Sequence, residues 1–425
     1  MKYLFPFILC LVYVSVSQGG DPTPSTAGTS TIEMGKLVDE ALARNPEIKA
    51  ALHQMIALDA KVPQATGLPD PELTYMREQM PGFRFKNPMM ERVELMQMIR
   101  FPSKTTKMAE IAEIQADHAH HEHLEKVNEV IAKLKAGYVE LWFVQQSAAL
   151  NTETVGLLRQ IANTVRTRYS VGDAPQPDVL KAYVELSQME NHAFVLRQKE
   201  LSTKAMLMGI LDRRPDDTLG TATLPEEAPF TALLDTLESL ALQVRPMLVH
   251  DSMMVEEAQA MLSLTKREYL PDLKLAVQYV RIPETDFRGW SVIAGISIPF
   301  APWTLGKAGG RVEEATETVN RNLAAYRASR AMVLAGVRDL YYRARSEKRQ
   351  MEVYRGTILP QARQSFQASL IGYQTGKTDF LMLIDSHRTL VSLTLESLMA
   401  RMQFEQSVAE LERTVGVENV ATLKP

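Results

Sequence analysis

The sequence predicts a mainly α-helical chain with a small share of a membrane β-barrel, arranged as two tandem structural repeats of a long coiled-coil helical hairpin plus two strands. Three observations predict it. Short segments recur at a nearly constant offset: ALARNP at Ala41–Pro46 returns as ALQVRP at Ala241–Pro246, LPD at Leu68–Asp70 as LPD at Leu270–Asp272, and Tyr169 and Gly172 as Tyr373 and Gly376. The offset drifts only from 200 to 204 residues, which means two copies of one structural unit. Each copy carries a pair of alternating runs of about 9–11 residues, the length of a tilted membrane strand. Each pair is followed by a Gly- and Pro-poor stretch long enough for a helical rod of roughly 100 Å.

The first residues read as a signal peptide over 1–17: Lys2 supplies the positive charge, Tyr3 to Val16 is apolar, and Ser15-Val16-Ser17 is a small-x-small cleavage motif. The apolar run is shorter than the ~20 residues needed to span a bilayer as a helix. Residues 18–31 form a Gly/Pro/Ser/Thr tether. The sole cysteine, Cys10, lies inside the apolar run, so the mature chain has neither disulfides nor thiolate ligands.

A first repeat is expected over 32–225 and a second over 226–418, with a tail at 419–425. In the first, Leu37, Ala41, Ile48, Ala51, Met55, Leu58 and Val62 step at helical spacing, predicting one helix from Ile32 to Ala65. Strands are expected at about 72–80 and 91–101, joined by the loop PGFRFKNPMM. In the second repeat they fall at about 272–281 and 290–300. There Leu273, Leu275, Val277 and Tyr279 alternate with polar neighbours, and Trp290, Val292, Ala294, Ile296 and Ile298 with mostly small ones. Such alternation also suits a half-buried soluble sheet, but the run lengths and the flanking Trp290 and Trp303 favour a membrane face with an aromatic girdle.

Long helices are predicted from Ser103 to Tyr169 and from Gly306 to Tyr373, with Gly156 and Pro360 at matching positions marking a shared bend. Turns at Val171–Pro177 and Thr375–Thr378 send a second helix back, to about Leu211 and Val415.

Four strands cannot close a barrel, and an open edge in lipid costs several kcal/mol for each unpaired backbone group. The chain must therefore associate; three copies give about 12 strands, enough for an open lumen. Composition agrees with long helices, at 7% aromatic and 22 Met, while a net charge of -4 leaves no basic footprint for nucleic acid. No G-x-S-x-G, P-loop, HExxH or Cys pair is present, so no enzyme and no cofactor are expected.

These residues resemble the TolC-like outer-membrane factor family of efflux ducts. The resemblance is carried by RYSVGDAPQPDVLKAYVELSQME, by GYQTGKTDFLMLIDSHRTLVSL, by GWSVIAGISIPFAPWTLGKAGGRVEEA and by ILPQARQSF, and it spans about Met34 to Gly416. MMERVELMQMIRFPSKTTK at Met89–Lys107 is most similar to the heavy-metal-efflux branch, although Arg100 and Ser103 replace that branch's Pro and Gly. The resemblance implies a homotrimer in the outer membrane of a Gram-negative-type bacterium. It implies passive conduction and two partners, a periplasmic adaptor and an inner-membrane pump of the RND type.

It further implies that Val171, Gly172, Thr375 and Gly376, at the turns, meet the adaptor. Asp385 matches a family position where acids constrict the closed tip; the second acid usual three residues earlier is Met382 here, and Asp379 stands in its place. Asp178 and Lys181 are the first-repeat counterparts of Met382 and Asp385, with Lys181 a latch for a neighbouring acid.

Two clusters suggest metal contact. DHAHHEH holds His118, His120, His121 and His123, imidazoles suited to Zn, Cu or Ni. Met96 and Met98, with Met76, Met80, Met89 and Met90 nearby, supply thioethers suited to soft Cu(I) or Ag(I). Unliganded surface His and gap-filling Met are the plainer readings. Two rival functions stay open: a periplasmic coiled-coil adaptor or scaffold, suggested by the hairpins, and a secreted metal-binding protein, suggested by the His and Met clusters.

Overall fold

The computed structural model describes residues 31–78, 88–225, 230–299, 301–303 and 305–422. The signal peptide, most of the tether, the first hairpin loop with Met80, Phe300 and residues 423–425 lie outside the described residues.

The elements follow in this order. A short strand β1 (Thr31–Ile32) leads into α1 (Met34–Arg44), α2 (Pro46–Asp59) and α3 (Val62–Thr66). Strands β2 (Glu72–Glu78) and β3 (Met90–Ile99) precede α4 (Pro102–Ser170) and α5 (Gln176–Ile210). Strand β4 (Thr221–Ala222) precedes α6 (Leu234–Val244), α7 (Pro246–Arg267), β5 (Leu273–Ile282) and β6 (Phe287–Ile296). The chain finishes with α8 (Leu305–Val353), a π-helical segment (Tyr354–Ile358), α9 (Leu359–Gln374), α10 (Phe380–Val415) and a 3-10 turn (Val420–Thr422). No helix among the described residues is long and apolar enough to cross a membrane.

The expected single helix from Ile32 to Ala65 is three. Pro46 and Pro63 occupy first-turn positions of α2 and α3. Proline has no N–H to donate and favours a helix start over its middle. Asn45 caps α2 by accepting from the Ile48 N–H at 3.0 Å. Its Nδ2 donates to the Ile210 carbonyl at 2.8 Å and ties this entry to the end of α5.

The matching positions Gly156 and Pro360 differ in local backbone. Helix α4 runs unbroken through Gly156, whereas the other rod is interrupted by the π turn just before Pro360. A glycine only weakens a helix. A proline lacks the donor and clashes with the carbonyl four residues back, here that of Gly356 inside the π turn, so one extra residue per turn relieves the clash.

Strands β2, β3, β5 and β6 form one antiparallel sheet in that order. Strand β6 spans 287–296 where 290–300 was expected, ending before Pro299, which cannot donate to a ladder. The register gathers the apolar side chains on one face: Leu73, Leu95, Val277 and Val292 stand directly opposite one another, and so do Tyr75, Val93, Tyr279 and Trp290. This face is uncovered, with Leu73 72%, Trp290 75% and Val292 78% exposed.

The parallel pair β1–β4 was not anticipated. Buried Tyr138 holds it: its hydroxyl lies 2.7 Å from the Ile32 carbonyl oxygen and accepts from the Thr223 N–H at 2.9 Å. Around it Leu37, Ala41, Leu134, Leu141 and Leu207 make a core. In the other half Leu237, Ala241, Val337, Leu411 and Val415 make a second one, which also buries Val420 from the C-terminal 3-10 turn. Sheet and helices meet at Asp272, whose carboxylate accepts from the Phe101 N–H at 2.9 Å and from Lys104 Nζ at 2.9 and 3.0 Å.

Candidate functional site

The ends of the two hairpins farthest along the chain from the sheet lie together. Leu158, Val165, Ala182, Tyr373, Phe380 and Leu383, from α4, α5, α9 and α10, share one buried core there.

Both hairpin turns have the same backbone. Gly172 and Gly376 adopt φ of 83° and 72°, a left-handed conformation in which a Cβ is strained. The Asp173 N–H closes onto the Arg168 carbonyl and the Lys377 N–H onto the Gly372 carbonyl, each at 2.8 Å. Val171, Gly172, Thr375 and Gly376 are all exposed, Val171 by 73%. Thr378 packs so closely over Gly372 that a Cβ there would lie 2.7 Å from its methyl carbon. The turns are clasped together: Arg168 Nη1 donates to the Tyr373 carbonyl at 2.8 Å, and its guanidinium carbon sits 4.9 Å from the centre of the Tyr373 ring.

Asp379 is the N-cap of α10, accepting from the Met382 N–H at 2.8 Å. Asp178 lies in the first turn of α5. Its carboxyl is pushed above the usual carboxylate range by burial, further raised by Asp379 and opposed by Lys181. Asp178, Lys181 and Asp379 therefore form one electrostatic group. Asp385 stands apart, exposed, its charge acting on Arg388.

Arg388 pairs with Glu185 of α5 through one guanidinium edge, its Nε donating to Oε2 at 3.0 Å and its Nη2 to Oε1. Glu185 is only 7% exposed. The same turn of α10 buries His387, whose ring centre lies 5.3 Å from that of Phe366. Burial holds His387 below the usual imidazole range, opposed by Glu185. Glu185, His387, Arg388 and the Arg168–Tyr373 clasp are absent from the sequence reading. Glu185 offered one signal, falling four residues after Lys181 and thus on one helical face with it.

The four histidines of the first long helix do not converge. His118 faces α7, with Nε2 3.7 Å from Glu257 Oε2 and its ring edge-on to His250 at 5.1 Å. His120 and His121 meet edge to face at 5.6 Å between ring centres, and His123 has a buried Nδ1 with no partner. Burial lowers His118, His121 and His123 from the usual imidazole range. Among the described residues no three or more His, Cys, Asp or Glu side chains gather as a metal site. Met96 and Met98 share the sheet's other face; Met96 stands opposite Glu72 and Ala276, and Met98 opposite Lys274, whose ammonium opposes a cation there.

Residues 237–417 match the family of outer membrane efflux proteins. The cobalt-zinc-cadmium resistance protein CzcC of Cupriavidus metallidurans is 21% identical over 393 residues, 92% of this chain and 91% of the relative. Among solved structures, the CmeC outer membrane channel of Campylobacter jejuni superposes with a TM-score of 0.78 at 13% identity, covering 90% of this chain and 85% of that one. The outer membrane protein VceC of Vibrio cholerae gives a TM-score of 0.76 at 14% identity, covering 90% and 96%. These matches favour neither the periplasmic scaffold nor the secreted metal-binding protein.

Proposed function

We propose that this chain is a TolC-like outer-membrane efflux protein, a reading supported by the matched family and by the relative CzcC, and that three copies close one twelve-stranded barrel in the outer membrane and one helical tunnel beneath it. It is the outer-membrane channel of a tripartite efflux system. The observation that carries the trimer is the sheet itself: β2 and β6 are its two edges, and its apolar face is exposed. In lipid both edges need partners, and sister copies supply them by pairing β6 of one with β2 of the next. The tandem repeats, 32–225 and 226–418, then alternate around the wall. Size measurement in detergent, with cysteines engineered in β2 and β6, tests this. Cross-linked trimers are expected, and a monomer without affinity for detergent or bilayer sinks it.

The tip is the gate and the docking point. Asp178, Lys181 and Asp379 form the charged constriction that cations meet last before the tunnel, and Asp385, six residues beyond Asp379, adds a separate acidic ring. Val171, Gly172, Thr375 and Gly376 form the surface that meets the periplasmic adaptor, and the adaptor joins the duct to an inner-membrane pump of the RND type. The exported substrate is divalent metal, a reading supported by the relative named for cobalt, zinc and cadmium resistance. His118, His120, His121 and His123, with Met96, give passing cations weak single contacts, while Lys274 keeps them from Met98. Deleting the chain is expected to raise sensitivity to cobalt, zinc and cadmium; sensitivity to antibiotics alone would rule out the metal assignment.

A further inference from the structure

One row of the sheet is cationic, and it lies on the apolar face. Arg77, Glu91, Arg281 and Arg288 stand directly opposite one another across β2, β3, β5 and β6. Strand alternation places them on the same side as Leu73, Leu95, Val277 and Val292. The next row inward is aromatic, with Tyr75, Tyr279 and Trp290, and Tyr279 and Trp290 touch at 5.1 Å between ring centres.

Glu91 is held in the middle of the row. Its carboxylate lies 3.3 Å from the Tyr75 hydroxyl, 3.8 Å from Arg77 Nε and 3.7 Å from Arg281 Nη1. Arg288 has a separate partner: its Nη2 donates to Asp286 Oδ1 at 3.2 Å, so two carboxylates face three guanidinium groups. The side chains of Arg281 and Arg288 remain 48% and 59% exposed.

The row also has a fixed height. From Glu91 to Phe101, beside the start of α4, the chain advances about 34 Å along the strand, or roughly 25 Å along the membrane normal at the usual tilt. The helices extend into the periplasm, so the arginine row sits at the outer rim of the apolar band, level with outer-leaflet headgroups.

We propose that this row binds the phosphate groups of the phosphorylated glycolipid of the outer leaflet. Guanidinium forks match phosphate oxygens in pairs, and the aromatic row beneath them suits the boundary between sugar and acyl chain. The guanidinium of Arg281 is held only at 3.7 Å by Glu91 and that of Arg288 by an exposed Asp286, so both keep donors that can turn to an anion from the lipid side. Glu284, in the turn beyond the row, complements the divalent cations that bridge such phosphates. The inference rests on the barrel reading.

The test uses the full mature protein in phosphatidylcholine nanodiscs doped with lipopolysaccharide, with dephosphorylated lipopolysaccharide, or with phosphatidylglycerol, and native mass spectrometry counts bound lipid. Arg281→Gln with Arg288→Gln is expected to lower retention of the phosphorylated glycolipid about tenfold, Glu91→Gln to raise it, and the paired Lys substitutions to keep most of it. Equal retention in the Gln variant and the wild type overturns the proposal. So does an equal loss for dephosphorylated glycolipid or phosphatidylglycerol. Should the Gln variant not insert, unchanged retention in Glu91→Gln overturns it. Insertion of the wild type into undoped nanodiscs is scored separately, and its absence overturns the barrel reading itself.

Discussion

Glu185 and Arg388 join the two helical hairpins near the tip: the carboxylate on α5 is nearly buried, and the guanidinium on α10 caps it from the exposed side. Exposed ion pairs contribute little, but this one covers a carboxylate that has lost most of its water. Arg388→Ala leaves that carboxylate unsatisfied, at a cost of about 1–3 kcal/mol. Thermal melting of the detergent-purified protein is expected to show the loss, with ion conductance in planar bilayers rising. Glu185→Gln with Arg388→Gln should recover most of the stability, and an unaltered melting temperature in Arg388→Ala would refute the coupling.

Asp178 supplies a pH dependence of known sign. Its carboxyl is raised mainly by burial, with Asp379 adding to the effect. A raised acid stabilises the packed tip below the ordinary carboxylate range and loses that stabilisation as pH climbs through the raised value. Conductance is therefore expected to fall on acidification from about pH 7 to about pH 4. Asp178→Asn should show the low conductance at every pH; a profile identical to the wild type counts against the repulsion.

His387 works in the opposite direction and in a higher window. Burial lowers it, so its contribution is complete above the ordinary imidazole range and disappears as pH falls through the lowered value. Protonation would set a cation in a core shared with Phe366, with Glu185 the facing acid. Melting experiments below about pH 6.5 should show destabilisation in the wild type and less of it in His387→Leu. Parallel curves would exclude the residue.

Gly376 tests the docking surface. At φ of 72° a side chain costs about 1–2 kcal/mol, which reshapes an exposed turn without disturbing the barrel. Gly376→Val is expected to leave trimers intact on gels while abolishing co-purification with the adaptor and restoring metal sensitivity. Normal adaptor recovery argues against the turn as the contact.

Val292 tests which face meets lipid. It is 78% exposed in the middle of the apolar band, where an arginine costs about 2–4 kcal/mol. Val292→Arg should impair insertion into the outer membrane, while Ser291→Arg, on the opposite face, should insert normally. The reverse result would turn the sheet inside out.

The sequence by itself determined the element types, the alternation that puts Trp290 and Val292 on one face, and the glycines that reverse the backbone at 172 and 376. Each of these is written in residues a few positions apart, within the reach of local sterics and period. What the tertiary structure alone decided is which distant residues meet. Glu185 finds Arg388, Asp178 feels Asp379, and His118 turns to Glu257 and away from its own histidine neighbours. The cationic row likewise exists only once four strands share a register. Helix spacing and strand alternation fix where a side chain points, but its partner depends on how separate rods and strands slide against one another. That offset is settled by packing summed over whole interfaces, and no short stretch of sequence records it.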